Sequence, residues 1–167
     1  MSRVDEVRDS REELDNERKT EGSPWRDVAL DLMRFESEDY VVMVDQYSDF
    51  VEIQKLEAKT ATVLISVLKR TFRSHGVPER LFTSKAFPFG TRKYQDFMRD
   101  YQIAKELSSL KTARMMLRSI KKIRRILEEC DDGNLAMIQY NKEPRNGGPS
   151  PAELFMGRKL RIGRSTR

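Results

Sequence analysis

Two features of the sequence have residue types and spacing suited to chemistry. Asp31 stands inside the apolar run Val28-Ala29-Leu30-Asp31-Leu32-Met33, where a carboxylate is costly unless it is solvated, paired or bound to a metal. Two readings stand side by side: a carboxylate on a sheet face open to solvent, or a ligand to a hard divalent cation. The second needs company, because a two-metal phosphoryl-transfer site gathers several carboxylates around cations held about 4 Å apart. The other feature is residues 111–125, with seven bases, Lys111, Arg114, Arg118, Lys121, Lys122, Arg124 and Arg125, and no acid. Ala113, Met116, Leu117, Ile120, Ile123 and Leu127 recur at helical spacing among them, which predicts a helix with an apolar face on a core and a basic face outward. The basic face is either merely solvated or it meets a polyanion, which would relieve the repulsion within a face of one sign. Arg158, Lys159 and Arg161 repeat the basic theme near the C-terminus, followed by Arg164 and Arg167, although basic tails are often only solvated.

Three lesser candidates carry simpler expectations. Ser84-Lys85-Ala86-Phe87-Pro88-Phe89-Gly90 holds aromatics that look exposed, and it reads as a strand-to-helix connection beyond a strand end, where α/β folds place ligands. His75 precedes Gly76 at the end of a predicted helix, where a positive charge is mildly favourable. Cys130 has no base near it in sequence and reads as a structural or idle thiol.

The elements that must position these groups follow from periodicity. Val28, Leu30 and Leu32 alternate with Ala29, Asp31 and Met33, a strand pattern, and Glu36 to Asp39 is a hairpin break into Tyr40 to Val44. Phe50 to Ile53 makes a third strand. Thr60 caps a helix through Val63, Leu64, Val67, Leu68 and Phe72 that Gly76 and Pro78 end. Arg80 to Thr83 is the next strand, Tyr94, Phe97, Met98 and Tyr101 mark a helix, and Ile103 to Leu107 a fifth strand. Helices over Ala113 to Leu127 and Leu135 to Tyr140 follow, and Ser150-Pro151-Ala152-Glu153 is a capping box with proline at the first helical position. This order predicts an α/β fold, a mixed five-stranded sheet flanked by helices.

Composition bounds the rest. The chain has 167 residues, 32 Lys/Arg against 27 Asp/Glu, and a net charge of +5, a length that supports one core. Residues 1–23 hold five bases, eight acids and few apolar groups, which leaves the remainder at +8; a segment of this kind is expected to be a disordered or transiently helical leader. No apolar run approaches the ~20 residues of a membrane span, and the N-terminal residues lack the apolar stretch of a secretory signal. One cysteine and one histidine make neither an internal disulfide nor a tetrahedral zinc site. An intracellular setting without membrane insertion is the expectation.

Four separated blocks, Pro24-Trp25-Arg26-Asp27-Val28-Ala29-Leu30-Asp31-Leu32, Asp39-Tyr40-Val41-Val42-Met43-Val44-Asp45-Gln46-Tyr47-Ser48, His75-Gly76-Val77-Pro78-Glu79 and Ser150-Pro151-Ala152-Glu153-Leu154-Phe155-Met156-Gly157-Arg158-Lys159-Leu160-Arg161, resemble the integrase catalytic core of gypsy-type LTR retrotransposons. The resemblance spans roughly Pro24 to Ile162 and implies an RNase H-like fold. After the charged leader over 1–23, it implies a core over 24–145 and the C-terminal helix motif, with its basic tail, over 146–167. It also implies an Asp-Asp-Glu triad holding two Mg²⁺ or Mn²⁺ ions for DNA strand transfer. Asp31 falls on the first position, but Ser84 occupies the second and Leu117 the third. A neutral hydroxyl and a hydrocarbon replace two anions, and Lys85 adds a cation beside one of them, so no cofactor metal is expected to assemble there. Leu117 is expected to pack on the apolar face of its helix. The family's zinc-binding His/Cys module and a chromodomain-like extension have no counterpart here, so the chain is expected to be an isolated, degenerate core.

The resulting expectation is a catalytically inactive integrase-like domain that binds DNA or RNA non-specifically through residues 111–125 and Arg158, Lys159 and Arg161. A protein-interaction or dimerisation module and a residual metal-dependent nuclease or strand transferase are the alternatives. The basic clusters point to the nucleus.

Overall fold

The computed structural model describes residues 22–163. Most of the leader and residues 164–167 lie outside that range. Strands β1 (Asp27–Phe35), β2 (Glu38–Asp45) and β3 (Val51–Leu56) are followed by α1 (Ala61–His75), β4 (Arg80–Thr83), α2 (Arg92–Asp100) and β5 (Ala104–Leu107). Helices α3 (Leu110–Glu129), α4 (Gly133–Lys142) and α5 (Pro151–Met156) complete the described chain. The five strands form one mixed sheet in the order β3-β2-β1-β4-β5, with β1 antiparallel to β2 and parallel to β4. This is the expected α/β architecture.

The local signals explain most boundaries. Phe35 pairs with Glu38 across a two-residue turn in which Glu36 and Ser37 have φ of 48° and 65°, the doubly left-handed geometry that matches the twist of paired strands. The turn is tighter than the four-residue break expected from sequence, which lacks the usual Asn-Gly signal. Thr60 caps α1 by accepting from the Val63 N–H at 3.3 Å, and Gly76 ends the helix at φ 91° with its N–H on Phe72 O. Ser150 and Glu153 exchange bonds of 3.2 and 2.9 Å in the capping box of α5. The third strand starts at Val51 rather than Phe50, and α3 extends past both expected ends.

Alternation along β1 divides two cores. Val28 and Leu30 join Val41, Met43, Leu64, Leu68, Phe72, Tyr94 and Phe97 beneath α1 and α2, whereas Ala29 and Met33 join Val42, Val44, Met116, Ile123 and Tyr140 beneath α3 and α4. Both faces are covered, as expected where helical crossovers join the parallel strands β1, β4 and β5.

The four sequence blocks meet at one end of this sheet. Trp25 adopts φ 62° and is tied twice: its N–H donates to Asp45 Oδ1 at 2.9 Å and its Nε1–H to Gly76 O at 2.9 Å. Its indole packs against His75 (4.9 Å) and Phe155 (5.6 Å), and Phe155 stacks on Phe50 at 4.3 Å. His75 Nε2 lies 2.6 Å from Glu52 Oε1, so the imidazole serves this knot as well as the helix end. Asp45 is fully buried and also accepts from Ser48 N and Ser48 Oγ at 3.1 and 2.5 Å. Burial pushes its carboxyl up from the ordinary value, against the hydrogen bonds from Ser48 and Trp25.

The β3 edge is closed by a side chain. Asn141 is buried and its carboxamide mimics a strand, accepting from Val51 N and donating to Val51 O, both at 2.9 Å. Asn141→Ala is expected to orphan two buried backbone groups, at roughly 1–3 kcal/mol each, and to lower the melting temperature by several degrees. A melting curve matching the parent's would show that water replaces the amide.

Candidate nucleic-acid interface

Asp31 sits mid-way along β1, half-buried, on the face beneath α3 between Ala29 and Met33. It accepts from the Leu32 N–H at 2.8 Å. Desolvation raises its pKa above the ordinary carboxylate value, opposed by the Leu32 hydrogen bond and by the charge of Lys59. Ser84 lies two residues beyond the Ala29–Phe82 pair on the neighbouring strand, level with Asp31. Its hydroxyl accepts from Ala86 N at 3.2 Å and shapes the loop. In that loop Phe87 is exposed, but Phe89 is buried against Tyr94 rather than exposed.

Leu117 departs from expectation: it does not pack, and 65% of it faces solvent. Thr112, Met116 and Ile123 form the buried stripe of α3, and at about 100° per residue Leu117 falls roughly 120° from its centre. Leu107 and Leu110 are likewise exposed. The position faces water, as a metal-binding glutamate there would, but a leucine offers no donor. Nor do other acids substitute: Asp45 is consumed by the Trp25 knot and Glu106 stands on the exposed β5 edge. Among the described residues no group of three metal-ligating side chains comes together. The donor set at Asp31 therefore does not fit the two divalent ions that the resemblance implies.

The basic helix is longer than its pattern predicts, Leu110–Glu129, and as amphipathic. Its N-cap, Ser109, accepts from Thr112 N at 3.1 Å, and the long strip of Met116, Ile120 and Ile123 packs on the sheet. At about 100° per residue, Lys111, Arg114, Arg118, Lys121, Lys122 and Arg125 share one side. Arg124 is set apart; it is half-buried and donates to Arg34 O at 2.7 Å. Arg125 pairs with Glu129 at 3.1 Å, both exposed, a bond of small worth. The side divides in space. Lys111, Arg118 and Lys122 line a groove of about 650 Å³ that α3 shares with the β2–β3 turn and the end of α4, and Arg145 joins them there.

Arg145 is a member of the candidate site that the sequence pattern does not reveal. It stands half-buried beyond α4 with its Cζ 4.7 Å from the Tyr140 ring centre, and Lys122 Nζ lies 5.2 Å from the same ring. Lys122 is lowered in pKa by desolvation and by the Arg145 charge, against a weaker pull from Glu143. A lone arginine in a Pro/Gly-rich loop offers no periodic signal, so only the fold brings it to α3. Arg158, Lys159 and Arg161 are exposed after α5, on a segment anchored through Phe155 to the Trp25 knot.

No family model matches the sequence, and no curated protein does. Solved structures do. A chain of the simian T-cell lymphotropic virus intasome in complex with PP2A regulatory subunit B56 gamma superposes with a TM-score of 0.72 at 15% identity, over 87% of this chain and 59% of that one. This chain thus spans about three-fifths of that intasome chain's length. The HTLV-2 integrase catalytic core domain in complex with magnesium, in its dimeric form, matches with a TM-score of 0.64 at 17% identity, over 81% of this chain and 98% of that one. The catalytic core domain of BIV integrase gives 0.69 at 17%, over 80% and 95%. The fold is therefore that of retroviral integrase catalytic cores, which is RNase H-like, as the resemblance implied.

The strain at Asp31 is measurable. Its native carboxyl holds a proton more tightly than the unfolded chain's does, so the stability it contributes is present at low pH and is lost as pH rises through the raised native pKa. Asp31→Asn keeps an acceptor for the Leu32 N–H and never ionises. The variant is expected to melt above the parent at pH 7, with the gap closing as pH falls below the native pKa. An equal or lower melting temperature at pH 7 would refute the desolvation argument.

Proposed function

We propose that this chain is an integrase-core-like domain of gypsy-type retrotransposon origin that binds nucleic acid, DNA or RNA, non-specifically and does not catalyse strand transfer. The observation that carries the reading is the basic side of α3, where Lys111, Arg114, Arg118, Lys121, Lys122 and Arg125 gather with Arg145 nearby. Such a surface supports polyanion binding through phosphate contacts that carry no sequence information. Ser84 and Leu117 at two of three expected carboxylate positions, with Lys59 the charge nearest Asp31 in effect, support inactivity. On this reading no metal cofactor is required, residues 1–23 are an appended leader, 24–145 the binding core and 146–167 its closing helix and basic tail, and Arg158, Lys159 and Arg161 add phosphate contacts. A nuclear setting agrees with this partner.

A second reading, a protein-interaction or homodimerising module, is favoured by one observation, the solvent-facing Leu107, Leu110 and Leu117, since exposed apolar groups near one another mark interaction surfaces.

Duplex binding followed by fluorescence anisotropy across a salt series tests the first reading. Replacing Arg118, Lys121, Lys122 and Arg125 together with Ala is expected to weaken binding and to flatten the slope of log K against log salt by up to about 0.9 per lost contact. Unchanged binding would reject it. Cleavage of the duplex in Mn²⁺ that disappears in Asp31→Asn would show that catalysis survives.

A further inference from the structure

We infer that the groove between α3, the end of α4 and the β2–β3 turn is a phosphate-binding site, with Lys122 and Arg145 as its principal ligands and Arg118 as a further donor. The inference rests on the proposed nucleic-acid reading only for the source of the phosphate. Two observations carry the site itself. First, the fold brings two cations onto one buried aromatic ring, Tyr140, with Lys122 at 5.2 Å and Arg145 at 4.7 Å. Each gains from the ring's negative face, but the like charges repel, and an anion in the groove that both line lowers that cost. Second, Arg145 is aimed by backbone rather than by an acid: its Nη2 donates to Tyr140 O at 2.8 Å and its Nη1 to Glu143 O at 2.9 Å. Among the described residues no carboxylate forms an ion pair with Arg118, Lys122 or Arg145.

The lining's two acids do not cancel this field. Asp27 is engaged at both oxygens by Arg80, at 2.6 and 2.7 Å. Asp49 is one acid on a wall that also holds Arg118, Lys122 and Arg145. Cationic donors from α3 and from the loop after α4 favour a multiply charged oxyanion such as phosphate over a single carboxylate. A volume of about 650 Å³ admits a phosphodiester segment of a nucleic acid or a small phosphorylated molecule equally well.

Inorganic pyrophosphate is the probe, titrated calorimetrically into the full chain. Saturable one-to-one binding is expected, weakened about tenfold or more in Lys122→Gln and in Arg145→Gln, the scale of a lost charge-assisted hydrogen bond. The double variant Arg70→Gln/Arg73→Gln, on exposed positions of α1, removes more charge elsewhere and is expected to leave pyrophosphate affinity nearly unchanged. Arg145 braces the Tyr140 carbonyl, so if its variant unfolds, the exposed Lys122 carries the test. Absence of saturable binding, or a loss in the α1 variant as large as in the groove variants, would overturn the site. Competition against a labelled duplex separates the sources. Pyrophosphate that displaces the duplex identifies a nucleic-acid phosphate, and pyrophosphate bound without displacement identifies a small phosphorylated ligand; both uphold the site. Pyrophosphate binding with no duplex affinity would reject the nucleic-acid reading alone, and the reverse would reject the groove alone.

Discussion

The structure depends on the way Trp25 is held. A tryptophan at φ 62° occupies a conformation that costs a side-chain-bearing residue energy, and it persists because Asp45 takes its N–H, Gly76 takes its indole N–H, and His75 and Phe155 enclose the ring. Immediately after it, Arg26 O accepts from Glu79 N and Arg80 N, both at 3.0 Å, and Asp27 O accepts from Gln46 N at 2.9 Å. Those bonds set where β1 begins against β2 and β4. Because a slip of one residue would exchange the faces of a strand, the knot at Trp25 decides that Asp31 lies beneath α3 and level with Ser84.

This placement explains how a sequence resembles an enzyme core while its candidate catalytic centre does not fit metal ions. The blocks that carry the resemblance converge on the knot: Trp25, Asp45 with Ser48, His75 with Gly76, and Phe155 with the Ser150 capping box. They perform structural work there. The carboxylate positions that the resemblance implies lie away from the knot: Asp31, near the end of the first block, in the middle of β1, and Ser84 after β4 and Leu117 on the outer side of α3, both exposed, so that their identity leaves the packing of the sheet unaffected. Fold and chemistry are thus supported by different residues.

Electrostatics show the same separation. The half-buried Asp31 is not part of any group of three metal-ligating side chains among the described residues, and desolvation is the largest influence on its titration. On the other side of α3 the charge is concentrated instead. Tyr140, at the end of α4, presents one ring to cations from two elements, so a helix that looked merely basic acquires a definite place for an anion. The like charges are tolerated because Lys122 remains largely in water and Arg145 is braced by carbonyls.

Sequence by itself determined the order of elements, the α/β class and most boundaries, because alternation, helical spacing and caps such as Thr60 and Ser150 are local. It also located the basic run and Asp31, since both are contrasts within one segment. It misjudged Leu117, because helical spacing gives a wide apolar arc and only contact with the sheet selects which part is covered. Phe89 was misjudged for the same reason, as burial of a loop aromatic depends on Tyr94 from another element. Arg145 on Tyr140, Asn141 across the β3 edge and Glu52 beside His75 were not legible, because each joins residues distant in sequence and has no periodicity to announce it. Long-range side-chain meetings require the backbone to be placed first, and that placement is what the tertiary structure alone decided.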